Sequence, residues 1–197
     1  MKPALWILAL ALAPLASCST SGHAGALPGP PAMAEFQPGD IVMRSGDRLL
    51  ADRSYYNRRD HRFTHAGLVV GGSRVVHVHP TEGGGVAHIT PLKGFVSGSG
   101  NWAVFRPDLP DSSRASAARA GERFAQERRP FDGGLDLETV DSLYCTELVW
   151  RAYLEGTGID LVPSKPVTLT LPFVTLDSLY FGNPLVKKIH DSLKRDS

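Results

Sequence analysis

Two short runs of aliphatic residues, Ala66–Val70 and Val75–Val78, constrain this chain more than any other stretch. Each has the length of a strand, and Gly71-Gly72-Ser73-Arg74 between them is turn chemistry, so the segment reads as a β-hairpin. Histidines mark it: His65 precedes the first strand, and His77 and His79 lie on the second. Directly opposed residues of an antiparallel pair point to the same face, so the loop length decides which histidines meet. A three- or five-residue loop sets His65 opposite His79 and diagonal to His77, all on one face. A two- or four-residue loop sends His65 and His77 to opposite faces. The glycines permit a three-residue loop with a bulge but do not require it.

The hairpin needs further strands to make a sheet, and the sequence offers them. Pro38-Gly39 is a turn before Ile41-Val42-Met43, Val86–Ile89 follows Gly83-Gly84-Gly85, and Trp102–Arg106 is closed by Pro107. Residues 44–63 are polar, with Tyr55-Tyr56, and read as a short helix or an active-site rim. Asp111 or Ser112 can cap a helix that runs to about Arg128, with Ala117, Ala120, Phe124 and Ala125 as its apolar stripe and Pro130 as its stop. A second helix starts near Ser142. Cys145, Leu148, Val149 and Ala152 recur at i, i+3, i+4 and i+7, which marks its buried face, and Gly156 and Gly158 end it. From Leu161 the chain reads as extended, with a last helix over 184–195. The expected fold class is α+β, a small antiparallel sheet packed against helices on one side.

The chain has two cysteines, Cys18 and Cys145. Cys145 stands in the first turn of its helix, where unpaired backbone N–H groups and the positive end of the helix dipole favour a thiolate. It is the candidate nucleophile, and the same N–H groups can hold an oxyanion. Its base should be a histidine. His23 lies in a linker and His190 near the tail, whereas His65 begins a strand and is well fixed, with His77 or His79 available to orient it. His61 and His88 read as surface groups, and His79 as a rim residue before Pro80 or a substrate contact. Tyr144 and Glu147 are candidate substrate contacts, although Glu147 can equally pair with an arginine. His65, His77, His79 and Cys145 are zinc-ligand types, but their sequence spacing is not compact, so no metal or cofactor is expected.

Several segments resemble one enzyme group. His65 through His77 is similar to the His-strand-turn-strand-His segment of the NlpC/P60 superfamily, including its lecithin:retinol acyltransferase-like branch. Tyr144-Cys145-Thr146-Glu147-Leu148-Val149-Trp150 resembles the nucleophile motif of the permuted YaeF/YiiX papain-like amidases. Phe131-Asp132 to Asp136-Leu137 resembles the acidic segment before that motif, and Pro38-Gly39-Asp40-Ile41-Val42 the opening strand. The histidine precedes the cysteine, which is the circularly permuted order. The resemblance runs over about 36–155. It implies a permuted NlpC/P60 fold and a cysteine hydrolase with Cys145, His65 and His77 as its catalytic members, acting on an amide or isopeptide such as cell-wall peptide through a thioester. Relatives of this type often carry glutamate where His77 stands. A lipid acyltransferase or lipase using the same Cys-His-His site is the enzymatic alternative, and a ligand-binding lipoprotein the non-catalytic one.

The N-terminus adds location. Met1-Lys2 and the apolar run Ala4–Ala16 form a secretory signal that is too short to span a bilayer. Leu15-Ala16-Ser17-Cys18 resembles the lipobox of bacterial lipoproteins, in which the cysteine is lipidated. The expected organisation is a signal peptide over 1–17, lipidated Cys18 with a Ser/Gly/Ala/Pro-rich tether over 18–35, and a hydrolase domain over 36–197. Lys2 is the only charged residue removed, which leaves 20 basic against 20 acidic side chains. That balance, without a basic run, argues against nucleic acid as a partner. The expected partners are the membrane, through lipid on Cys18, and an amide- or acyl-containing envelope substrate. By resemblance to enterobacterial lipoprotein sorting, Ser19 after the cysteine, where aspartate is absent, implies the outer membrane, facing the periplasm. Replacing Cys18 with Ser should move the protein expressed in bacteria from the detergent phase to the aqueous phase in a two-phase extraction. Unchanged partition would remove the lipid anchor.

Overall fold

The structure, a computed structural model, describes residues 36–46, 57–168 and 171–192. The signal segment, Cys18, the tether and Tyr55-Tyr56 lie outside the described residues. Six strands form one antiparallel sheet: β1 (Ile41–Arg44), β2 (His65–Val70), β3 (Arg74–His77), β4 (His88–Pro91), β5 (Trp102–Pro107) and β8 (Val186–Asp191), in the order β4-β3-β2-β1-β5-β8. Helices α1 (Leu92–Val96), α2 (Asp111–Gln126) and α3 (Cys145–Thr157), a 3-10 turn at Asp177–Leu179 and a two-strand ribbon, β6 (Val167–Thr168) with β7 (Leu171–Pro172), complete the described elements. Among the described residues, no helix is long and apolar enough to cross a membrane.

Every residue of β2 is buried, because the sheet is covered on both faces there. Ala66, Leu68 and Val70 join Ile41, Met43 and Val76 beneath α2 and α3, where Ala117, Phe124, Leu148, Val149 and Ala152 close the main core. Val69, Val42, Val75 and Val104 face the other way, against Phe36 and against Leu92 and Phe95 of α1. A strand buried on both faces reads as a continuous apolar run rather than an alternating one. Gly67 lies on the α1 face, and a Cβ there would come within 2.4 Å of Val75 Cγ1 and 3.3 Å of His77 Cβ. Glycine lets the two strands keep Val75 and His77 on this face.

Helix α3 is fixed along β2. Tyr153 Oη donates to Gly39 O at 2.5 Å, and Gly39 N–H donates to Val69 O at 2.8 Å. The C-terminal part of α3 therefore lies at the Val70 end of β2. The helix runs in the direction of β2, and its first residue, Cys145, lies at the end where β2 begins with His65.

Three expectations are corrected. Gly156 does not end the cysteine helix. It lies within α3, and a Cβ there would sit 2.7 Å from Ser116 O of α2, so it permits the close crossing of the two helices. Gly158 alone supplies the stop, with φ 74°. The helix starts at Cys145 itself rather than near Ser142. Residues 186–191 are a strand, not a helix. Their Leu185–Ile189 spacing suits a helix, but pairing with the open edge of β5 satisfies backbone groups along that edge. The register shift between Val104 and Phe105 skips Ile189, which remains 39% exposed.

Asp40, fully buried at the entry to β1, accepts two hydrogen bonds from the Arg106 guanidinium, at 2.7 and 2.8 Å, and one from Gln37 N–H at 2.8 Å. Removing one partner of a buried pair leaves an uncompensated charge. Arg106→Met should destabilise the fold by about 3 kcal/mol, at the low end for such pairs because the arginine is partly open to water. The urea midpoint should fall at unchanged m-value. A midpoint within error of wild type would mean that the Asp40–Arg106 pair does not hold the fold.

Candidate active site

β2 and β3 pair with Val70 opposite Arg74, so the loop is the three residues Gly71, Gly72 and Ser73. This register puts His65 and His77 on the same face, diagonal to each other, and their rings meet. His65 Nε2 and His77 Nδ1 are 3.0 Å apart. His77 Nε2 lies 3.1 Å from Thr90 Oγ1 on β4. The His79 ring runs parallel to that of His77 at 5.4 Å, and His88, opposite His77 across β3 and β4, brings its ring to 4.2 Å. Phe95 of α1 stacks on His65 at 5.4 Å and meets His77 edge-on at 5.0 Å. Arg44, opposed to His65 across β1, lies over Phe95 at 5.2 Å.

His65 is fully buried. Its Nδ1 has no hydrogen-bond partner among the described residues. The proton arrangement follows from the chain of contacts. If His77 Nε2–H donates to Thr90 Oγ1, then His77 Nδ1 accepts from His65 Nε2–H, and His65 Nδ1 carries a lone pair. In that direction of the chain Thr90 accepts and His65 is a base; with the Thr90 hydroxyl donating instead, the chain reverses and His65 Nδ1 carries the proton. Burial holds His65 well below the ordinary histidine range, and repulsion from His77, Arg44, His79 and His88 adds to it. Burial, with repulsion from His88, His79 and Arg44, pushes His77 down to about 2. Both rings are neutral at neutral pH.

Cys145 opens α3 and is 7% exposed. It stands at the same end of the layer as His65, on the helix packed against the sheet's main-core face, whereas the His65 ring lies on the α1 face. Its neighbours are pinned. Tyr144 Oη accepts Val174 N–H at 3.0 Å while its ring stacks on Phe173 at 4.7 Å, and Thr146 Oγ1 donates to Val174 O at 2.5 Å. Glu147 is fully buried: Oε2 accepts Tyr144 N–H at 3.2 Å and Oε1 accepts Arg151 Nε–H at 2.6 Å. Burial pushes its carboxyl up to about 7 against the pull of Arg151. Of the candidate substrate contacts, Tyr144 and Glu147 thus use their polar atoms inside the fold, and His79 is half-buried in the imidazole cluster. Asp132 of the acidic segment ties the approach to the helix. Its N–H donates to Leu143 O at 2.9 Å and its carboxylate accepts Gly134 and Asp136 N–H.

A cleft of about 580 Å³ opens beside the Val174 segment, lined by Arg58, Arg59, Lys165, Thr175, Asp177 and Phe181 among others. Of the other histidines, His61 is exposed and His190 packs on Trp102 at 4.1 Å on β8. The sequence reading places His88 at the surface, but the fold sets it half-buried against His77. Thr90, Phe95 and His88 carry no sequence signal of their own; the pairing of β3 with β4 brings Thr90 and His88 to the site. Candidate ligand nitrogens of His65, His77 and His79 lie within 4.8 Å of one another. That all-imidazole set fits a borderline divalent ion, although the sequence spacing gives no sign of it.

A family model described as permuted papain-like amidase enzyme, YaeF/YiiX, C92 family, matches residues 35–169. The crystal structure of the metalloprotein YiiX from Escherichia coli O157:H7 superposes with a TM-score of 0.62 at 18% identity, covering 78% of this chain and 96% of that one. At that identity the likeness concerns the fold. No curated protein sequence matches this chain.

The depressed titration of His77 has a stability signature. An unfolded histidine takes up its proton near pH 6.5, whereas the folded His77 stays neutral to about 2. Stability is therefore fullest above pH 6.5 and falls as the pH drops, because the unfolded chain binds the proton first. Between pH 6 and 4 the unfolding free energy of wild type should fall more steeply than that of His77→Asn, by up to about 1.4 kcal/mol per pH unit. Parallel slopes in urea titrations would show that His77 is charged in the fold.

Proposed function

This chain belongs to the YaeF/YiiX family of permuted papain-like cysteine amidases, and on that premise we propose that Cys145 is its nucleophile, His65 its base and His77 the group that orients the base. The observation that carries this reading is the 3.0 Å contact of His65 with His77, continued at 3.1 Å to Thr90. It leaves one unpartnered imidazole nitrogen at the end of the sheet where α3 begins with Cys145. On this reading the thiol reaches His65 Nδ1 round the start of β2, because the His65 ring and α3 lie on opposite faces of the sheet.

His65 Nδ1 takes the thiol proton as sulfur attacks the acyl carbonyl carbon. The carbonyl oxygen becomes an oxyanion, held by first-turn N–H groups of α3. Collapse breaks the C–N bond, and the proton on His65 passes to the leaving amine. Water, deprotonated by His65, then cleaves the thioester and restores the thiol. Among the described residues that act on His65 none is a carboxylate, and burial together with the charge of Arg44 disfavours imidazolium. Proton transfer is accordingly coupled to attack, rather than preceded by a stable thiolate–imidazolium pair.

The proposed substrate is an amide or isopeptide of cell-envelope peptide, reached from a lipid anchor on Cys18. The cleft beside the Val174 segment, which Cys145 and His65 do not line, supports a peptide over a hydrocarbon tail, because Arg58, Arg59 and Lys165 line it and cationic side chains suit carboxylates. An amide-type activity probe should label wild type at Cys145. Labelling should vanish in Cys145→Ala and slow by about 10²-fold or more in His65→Ala. Signal surviving in Cys145→Ala would remove the nucleophile assignment. Release of products from phospholipid vesicles, but not from purified cell-wall fragments, would favour the acyltransferase or lipase reading.

A further inference from the structure

We propose that His65, His77 and His79 form a three-imidazole site for a divalent transition-metal ion of the zinc class, and that metal at this site and proton abstraction by His65 exclude one another. The second half rests on the base role proposed above, whereas the site itself rests on geometry alone.

The candidate ligand nitrogens of the three residues lie within 4.8 Å of one another. In a tetrahedral zinc site with Zn–N distances of about 2.0–2.1 Å, ligand nitrogens stand about 3.3 Å apart. The His65 Nε2 to His77 Nδ1 edge, at 3.0 Å, is already near that spacing. His79 has to close by roughly 1.5 Å at most, and it is the half-buried member, at the end of the cluster nearest water. An orienting contact is in place: His77 Nε2 lies 3.1 Å from Thr90 Oγ1, and with Nε2–H donating there Nδ1 is the ligand atom. A donor set of imidazoles suits zinc, copper or nickel rather than magnesium or calcium. A fourth position stays open for water.

Exclusion follows from proton accounting. As a base, His65 keeps its proton on Nε2, shared with His77, and its lone pair on Nδ1. Metal binding uses the Nε2 lone pair, so the same proton moves to Nδ1 and no net proton is lost. A protonated Nδ1 cannot accept from the thiol. The metal thus takes the place of the hydrogen between the two rings and withdraws the base.

The test uses the purified full chain, stripped with a chelator and titrated with Co²⁺. The expected result is one equivalent of Co²⁺ with visible d–d absorption of a tetrahedral or five-coordinate nitrogen site, displaced by Zn²⁺. His79→Ala should weaken binding at least tenfold, and Thr90→Val, close in shape, should weaken it through His77 alone. Absence of the bands, or bands unchanged in His79→Ala and Thr90→Val, would overturn the site. Loss of the bands in Cys145→Ala would overturn the all-imidazole ligand set. The second arm reads Cys145 alkylation by iodoacetamide. Zn²⁺ should slow it tenfold or more in wild type but not in His79→Ala. An unchanged rate with metal bound would overturn the exclusion while leaving the base role standing. Alkylation of the stripped protein that is indifferent to His65→Ala would remove the base role and leave the metal bands to decide the site.

Discussion

The register of β2 against β3 is the constraint from which the rest of the site follows. The side-chain period of a strand is two, so a slip of one residue would exchange the faces of a whole strand. With Val70 opposite Arg74, Ala66, Leu68, Val70 and Val76 turn to α2 and α3, while Val69, Val75, His65 and His77 turn to Phe95. The same register makes the core and the imidazole contact. Gly67 belongs to it as well, because a side chain there would collide with Val75 beside His77.

That geometry has an electrostatic consequence. Four imidazoles and Arg44 gather on one face of the sheet, and the groups acting on His65 are all cationic or cation-forming. A buried polar group is tolerable when hydrogen-bonded, and the chain from His65 Nε2 through His77 to Thr90 meets that need without a formal charge, leaving His65 Nδ1 as the unsatisfied atom among the described residues. Neutral imidazoles carrying one proton each can serve as proton acceptors or as metal ligands. Which use prevails depends on where that one proton sits. Glu147, by contrast, uses its carboxylate to bind Tyr144 N–H and Arg151, holding the start of α3 in place.

Much of this was legible along the chain. The hairpin showed in two aliphatic runs about a glycine turn, and the cysteine helix in the 3.6-residue recurrence of Cys145, Leu148, Val149 and Ala152. Both signals arise from contacts near in sequence, which periodicity reports directly. Helix α1 was missed because five residues are too few to show a period. β8 was missed because its partner, β5, lies some 80 residues away, and its own spacing favours a helix. Gly156 looked like a stop because its reason, the backbone of α2 at Ser116, is a tertiary contact.

For the site, the residue types alone determined the chemistry on offer: a thiol placed at a helix start, and histidines placed on a hairpin. They left open whether His65 and His77 shared a face, since Gly71-Gly72-Ser73-Arg74 allows loops of either parity. Tertiary structure decided that, and it brought in Thr90, His88 and Phe95 from segments with no signal of their own. The physical reason is range. Backbone propensity and hydrophobic period act over a few residues, whereas the protonation and ligand capacity of an imidazole depend on whatever stands within a few ångströms of its nitrogens.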